Sequence, residues 1–258
     1  MRPATFNILH GRSPTDGLVS TSRLVEACAS LHADILCLQE VDRAQRRSGF
    51  VDQVSAVAEG MGAAWWRFEP ALVGEPGAVW RPAVEGDSAD SESPGYGVGI
   101  VSRLPVRKWH VLRLPASRVR SPVAVPGGKG RFILLPDEPR VVLAAEVDGP
   151  SGRLTIATTH LSFVPGWNVV QLRRATRALA ATSAACILTG DLNLPGPIPR
   201  IASGWLPLAT ARTFPVGRPS MQIDHVLGHG NLPRVVATAV EQLPLSDHLA
   251  LVVDLGDG

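Results

Sequence analysis

The feature that most constrains this chain is a succession of short apolar runs, each about as long as one β-strand and many bordered by a polar side chain capable of chemistry. Such runs fall at 4–9, 34–40, 64–68, 96–102, 140–147, 154–159, 184–189, 222–227, 234–241 and 249–255. Near-continuous hydrophobicity over about four to eight residues fits strands covered on both faces. Helical spacing is confined to Ser22–Leu31, to residues 52–61 and to Val169–Ala181; in the first of these Leu24, Cys28 and Leu31 return to one face. Strands outnumber helices, so a layered, sheet-rich fold is expected.

A chain of 258 residues with 45% hydrophobic and 19% charged side chains has the material for a sizeable core. One domain over 1–258 is the expectation, interrupted by surface loops at 74–95 and 115–135. The first of these contains the polar stretch Gly86 to Pro94, which reads as a mobile loop. The second holds the Gly/Pro-rich stretch Pro122 to Gly130, either a loop beside the site or a long hairpin. Trp65 and Trp66 are expected to pack in the core. A net charge of +2 excludes general nucleic-acid binding by charge alone, so any preference for anions must be local. Cys28, Cys37 and Cys186 lie in apolar segments without metal-ligand spacing and read as buried free thiols, which fits a reducing compartment. The first residues lack the apolar centre of a secretory signal, and no stretch approaches about 18 uninterrupted apolar residues. A soluble, cytoplasmic protein with no integral membrane segment, acting as a monomer, is expected.

Asn7, Glu40, His160, Asp191, Asn193, Asp224, Asp247 and His248 all sit within or at the ends of the apolar runs, where a sheet edge presents side chains to a crevice. In Gly190-Asp191-Leu192-Asn193 the glycine permits a tight backbone, and the i, i+2 spacing directs a carboxylate and an amide to the same side. Such a pair can orient and deprotonate a water while the amide donates to a phosphoryl oxygen. Read alone, it fits an Asx-type turn equally well. Asp224, inside the apolar run Ile223 to Leu227, needs a partner when buried, and a histidine is a natural one. His160 ends a strand, where it could donate to a phosphoryl group or be a satisfied core histidine. Asp247 places a hard oxygen ligand beside His248, although an exposed strand cap would look the same. Glu40 and Asn7 add oxygen donors of the kind that Mg²⁺, or Mn²⁺, prefers. Zinc fits less well, because the histidines lack HExxH pairing and the cysteines do not cluster. Arg43, Arg46 and Arg47 after Glu40, and Arg118, Arg120, Lys129 and Arg131 around the second loop, could steer phosphate or simply be solvated.

Taken in order, Phe6-Asn7, Leu38-Gln39-Glu40, Thr159-His160-Leu161, Gly190-Asp191-Leu192-Asn193, Ile223-Asp224-His225 and Ser246-Asp247-His248 resemble the signatures of the endonuclease/exonuclease/phosphatase family. The resemblance runs from residue 7 to residue 248. It implies an α/β (α+β) fold of the DNase I-like type, a four-layered sandwich of two packed, mostly antiparallel β-sheets flanked by helices. It also implies that Glu40 binds the metal with Asn7 and Asp247 near it, that Asp191 positions or activates the attacking water, and that Asn193 steadies the phosphate. His248, oriented by Asp224, and His160 would then support charge on the phosphoryl oxygens. Leu9 stands where many nucleases of the family carry an acidic residue. The lone tyrosine, Tyr96, opens a different segment from the tyrosine of the DNA-repair members, which points away from an abasic-site nuclease and towards the broader hydrolase branch.

Three readings follow from this sequence. The first is a divalent-metal-dependent phosphodiesterase or nuclease acting on a phosphoester substrate that could be nucleic acid. The second is a phosphomonoesterase for an inositol phosphate or phospholipid headgroup, and the third a phosphate-binding module without turnover.

Overall fold

The structure is a computed structural model that describes residues 1–124, 132–149 and 152–256. Along the chain the elements are β1 (Pro3–Asn7), α1 (Thr21–Ser30), β2 (Ile35–Arg43), α2 (Gln53–Met61), β3 (Trp65–Gly74), β4 (Trp80–Pro82), β5 (Gly95–Ser102), β6 (Val106–Leu114), β7 (Ser121–Ala124) and β8 (Phe132–Leu135). They continue with β9 (Arg140–Gly149), β10 (Gly152–His160), α3 (Trp167–Thr182), β11 (Cys186–Asp191), α4 (Ile198–Ser203), β12 (Leu206–Pro207), β13 (Asp224–His229), β14 (Arg234–Glu241) and β15 (Ala250–Gly256). A 7-stranded sheet runs β14-β15-β1-β2-β5-β3-β4, and a 6-stranded sheet runs β12-β13-β11-β10-β9-β6. Most pairs are antiparallel. The exceptions are β1 with β2 and β10 with β11, each parallel pair being joined through a helix, α1 or α3. These crossovers bring two neighbouring strands to the same edge of each sheet, so side chains that follow them converge.

The near-continuous apolar runs are explained by burial on both faces. Along β2, Leu36 and Leu38 pack under α1 and α2, while Ile35 and Cys37 face the opposite sheet. Along β11, Cys186 and Leu188 lie beneath α3, and Ile187 faces inward. A period of two therefore divides each strand between the central core and an outer, helix-covered one. The result is the expected four-layered sandwich. The helices begin as their sequences direct: the Ser20 hydroxyl caps α1 by accepting from Arg23 N, and the Asp52 carboxylate caps α2 by accepting from Ser55 N.

Some expectations fail for reasons visible in the packing. Trp65 and Trp66 are each 41% exposed, because they open β3 beyond the short stretch that β4 covers. The segment read as a mobile loop at 74–95 contains β4 and a single 3₁₀ turn, Asp87–Ala89. Ion pairs and carbonyl contacts hold it instead of apolar periodicity: Arg81 pairs with Asp87, and Arg43 donates to the Asp87 and Ser88 carbonyls. The 115–135 segment contains the hairpin β7–β8, and its central residues lie outside those described. The strand β6 escaped notice because its edge position leaves much of it half-exposed, with Arg107, Lys108 and His110 interrupting the pattern. All three cysteines are buried and free, as expected.

Gly190 is where the fold and the site meet. A Cβ added there would stand 1.9 Å from the Thr159 carbonyl oxygen, and its φ of +131° lies in a region that side chains disfavour. Gly190→Ala is expected to lower stability by about 3 kcal/mol or more, since backbone cannot move aside as a side chain can. Gly204→Ala, where φ is +75° but nothing lies within 4 Å, should cost only about 1 kcal/mol from backbone strain. Urea unfolding of the two variants separates these effects; equal losses would refute the close-approach explanation.

Candidate active site

At the shared edge of the two sheets, strand register sets the geometry. In β10 and β11, His160 lies opposite Asp191, and in β11 and β13 Asp191 lies opposite Asp224. In the other sheet, Asn7 at the end of β1 pairs with Gln39 of β2, next to Glu40. Glu40 occupies a β-bulge, where the β2–β5 register shifts between Gln39 and Val41, and its φ is +55°. The bulge takes Glu40 out of the strict alternation and turns its carboxylate to the crevice. Ser246, with φ +68°, shapes the approach to β15: its hydroxyl donates to the Asn7 carbonyl over 2.6 Å and accepts from His248 N over 3.1 Å.

The side chains that converge there line a cleft of about 640 Å³. Asn7 Nδ2 donates to Glu40 Oε1 at 2.9 Å and to Asp191 Oδ2 at 3.1 Å, so one amide joins the edges of both sheets. Asp191 uses Oδ1 to accept from Asn193 N at 3.0 Å, which is an Asx-type turn. Its other oxygen, Oδ2, faces His160 Nε2 at 3.6 Å and His248 Nε2 at 3.7 Å. The Asx-type turn thus occupies one oxygen of Asp191 and leaves the other facing the cleft histidines. Asn193, with φ +49°, directs Nδ2 to the Leu161 carbonyl and to His160 Nε2 at 3.1 Å.

Asp224 is buried behind His248 and accepts from its Nδ1 at 2.8 Å, with the Thr213 hydroxyl donating to the same oxygen. Burial works against a charged His248, but the Asp224 carboxylate, aided by Asp191 and Asp247, outweighs it and lifts the imidazolium to about 10. His160 is driven the other way: burial, with the Arg140 and His248 charges, holds its pKa well below 6.5. The site thus carries one charged and one neutral imidazole. Burial also raises Glu40 above the usual carboxylate range, and burial together with Asp224 raises Asp191 to about 7.

A divalent cation fits this donor set. Glu40 and Asp191 face one another across a neutral amide, burial penalises the negative charge of both, and Asp247 adds a third carboxylate to the same cleft. Hard oxygen donors with a shortage of compensating charge suit a hard ion. Ligand atoms of Asp191, Asp224 and His248 also lie within 4.8 Å of one another. The Asp224–His248 hydrogen bond gives two of these residues an orienting role instead.

The eight polar residues at the ends of the apolar runs thus gather here: Glu40, His160, Asp191, Asn193, Asp247 and His248 line the cleft, while Asn7 and Asp224 stand behind it. The histidine partner of Asp224 is His248, and His225 instead contacts the Leu194 carbonyl at 2.8 Å and Gln222 at 3.2 Å. Tyr96, which was not among the candidate site residues, lines the cleft because β5 pairs it with Asp42, just past Glu40. Arg140, 5% exposed at the start of β9, also lines the cleft, with no hydrogen-bond partner for Nε among the described residues. A charged residue opening the apolar run 140–147 was the available signal for Arg140. Thr213 and Phe214, whose ring centroid lies 4.8 Å from that of His248, had none.

The model of the Endonuclease/Exonuclease/phosphatase family matches residues 4–248. No curated protein sequence matches the chain. Similar solved structures include the endonuclease/exonuclease/phosphatase from Beutenbergia cavernae DSM 12333, with TM-score 0.66 and 22% identity over 100% of this chain and 72% of that one. The endonuclease/exonuclease/phosphatase from Bacteroides vulgatus gives TM-score 0.65 and 17% identity over 100% and 98%. D. rerio TDP2 complexed with single strand DNA product gives TM-score 0.62 and 15% identity over 98% and 97%. At these identities the structural likeness establishes the fold.

The Asp224–His248 pair has a measurable signature. His248 holds its proton more tightly in the folded state, about 10, than at its ordinary 6.5. Its stabilisation is therefore complete below the ordinary value and is lost as pH rises through the folded one. Metal-free protein should show a melting temperature that falls between pH 7 and 10, and His248→Gln should lack that component; identical pH profiles would count against the pairing.

Proposed function

The chain belongs to the endonuclease/exonuclease/phosphatase family, and on that premise we propose that it is a divalent-metal-dependent phosphodiesterase or nuclease that directs water onto phosphorus. The observation that carries this reading is Asp191 Oδ2, aimed into the cleft between Asn7, His160 and an Asp224-paired His248. An oxygen so placed can orient a water and take its proton as the new bond to phosphorus forms.

His160, a neutral imidazole whose Nε2 accepts from Asn193 Nδ2, would donate from Nδ1 to a non-bridging phosphoryl oxygen, with Asn193 steadying the ring. His248, charged and fixed by Asp224, would stabilise the negative charge that grows in the transition state, with Arg140 adding a further positive charge. Glu40 and Asp247, with Asn7 beside them, would hold the metal, for which Mg²⁺ is the first choice and Mn²⁺ the second. When bound, the ion supplies Lewis-acid polarisation of a phosphoryl oxygen. A nucleic-acid diester as substrate is supported by the likeness to TDP2 complexed with single strand DNA product.

A panel of DNA, RNA, nucleotides, phospholipids and inositol phosphates with Mg²⁺ tests the proposal. Diester hydrolysis that stops on chelation and returns with Mg²⁺ is expected. Asp191→Asn or His248→Ala should reduce kcat/KM by about 10²- to 10⁴-fold without loss of the folded state. Without metal bound, Asp191 sits near 7 and His248 near 10, so activity should rise as Asp191 loses its proton and fall as His248 loses its own. Metal should move the acid limb lower. Release of phosphate from monoesters with all diesters intact would overturn the diesterase reading.

A further inference from the structure

A second cavity, of about 410 Å³, lies beside the catalytic cleft and is lined by Gln45, Arg46, Arg47, Glu75 and Pro76. We propose that it binds a second phosphate of the same substrate, with Arg46 and Arg47 as its donors; this rests on the phosphoesterase reading of the main cleft.

The two cavities share a wall. Gly77 and Tyr96 line the catalytic cleft, Glu75 and Pro76 line the second, and the Arg47 guanidinium stands over the Tyr96 ring at 5.4 Å from its centroid. The wall is held in place by Gln45 Nε2, which donates to the Gly74 carbonyl at 2.7 Å.

Arg47 is preorganised. Its Nε and Nη2 donate to the two oxygens of Asp42 at 2.8 and 2.7 Å, and that carboxylate is fully buried. The bidentate pair and the ring beneath fix the guanidinium plane and leave Nη1 without an acceptor among the described residues. Asp42 neutralises Arg47, so Arg47 contributes direction more than charge. Arg46, exposed and without an ion-pair partner among the described residues, contributes the charge. A rigid donor beside a free guanidinium recognises a compact polyoxyanion. With the reacting phosphorus in the adjoining cleft, the anion that fits is another phosphate of that substrate, either the next linkage of an oligonucleotide or a second phosphate on a polyol.

Calorimetric titration of Asp191→Asn protein with Mg²⁺ at low salt compares pTpT with TpT, and an inositol bisphosphate with the monophosphate. The added phosphate should tighten binding about ten-fold in one pair, as one charge-assisted contact would. Arg46→Ala should abolish that gain while changing TpT or monophosphate affinity less than about two-fold. The pair that shows the gain identifies the source of the phosphate. No gain in either pair, or a gain that survives Arg46→Ala combined with Arg47→Lys, overturns the site. A gain lost with Arg46 in a protein that hydrolyses nothing on the panel would uphold this site and reject the catalytic reading. Turnover without any gain does the reverse.

Discussion

One amide holds the candidate site together. Asn7 Nδ2 lies between Glu40 and Asp191, carboxylates carried by different sheets, and donates to both. The contact is possible only because the sheets pack face to face on a core in which Ile35, Leu143, Ile156 and Ile187 are fully buried. Each such side chain contributes about 1.5 to 3 kcal/mol by leaving water. That apolar contribution stabilises an edge where burial opposes the ionisation of Glu40 and Asp191.

Around this amide the backbone departs from ordinary geometry. Glu40, Asn193 and Ser246 all have positive φ, and each either lines the cleft or, as Ser246 does, anchors a residue that lines it. Conformations of this kind cost on the order of 1 to 3 kcal/mol apiece and persist where the surrounding structure over-determines them. The strand pairs that impose them run deep into the cores, so rigid scaffold and strained edge are parts of one arrangement. Electrostatics follows from the same packing. The two cleft imidazoles differ in charge because one has a buried carboxylate behind it and the other does not.

Much of this could be read in advance. The positions of polar residues at the ends of apolar runs identified Asn7, Glu40, His160, Asp191, Asn193, Asp224, Asp247 and His248, because a buried strand leaves few reasons for such residues. Tyr96 was not among those residues, since nothing local reveals that β5 pairs it beside Glu40. Trp65 and Trp66 were placed in the core on hydrophobicity alone, whereas their position at a sheet edge leaves them half-exposed. The 74–95 segment looked structureless because ion pairs such as Arg81–Asp87 have no periodic signature.

What the sequence determined by itself was the layered sheet class and the identity of the polar side chains that gather at the cleft, since both depend on local hydrophobic period and residue type. Only the tertiary structure decided which of them meet. Asp224 chooses His248 over its own neighbour His225 because consecutive residues on a strand point to opposite faces. Likewise Asn7 reaches Asp191, far away in sequence, because two parallel crossovers end at one edge.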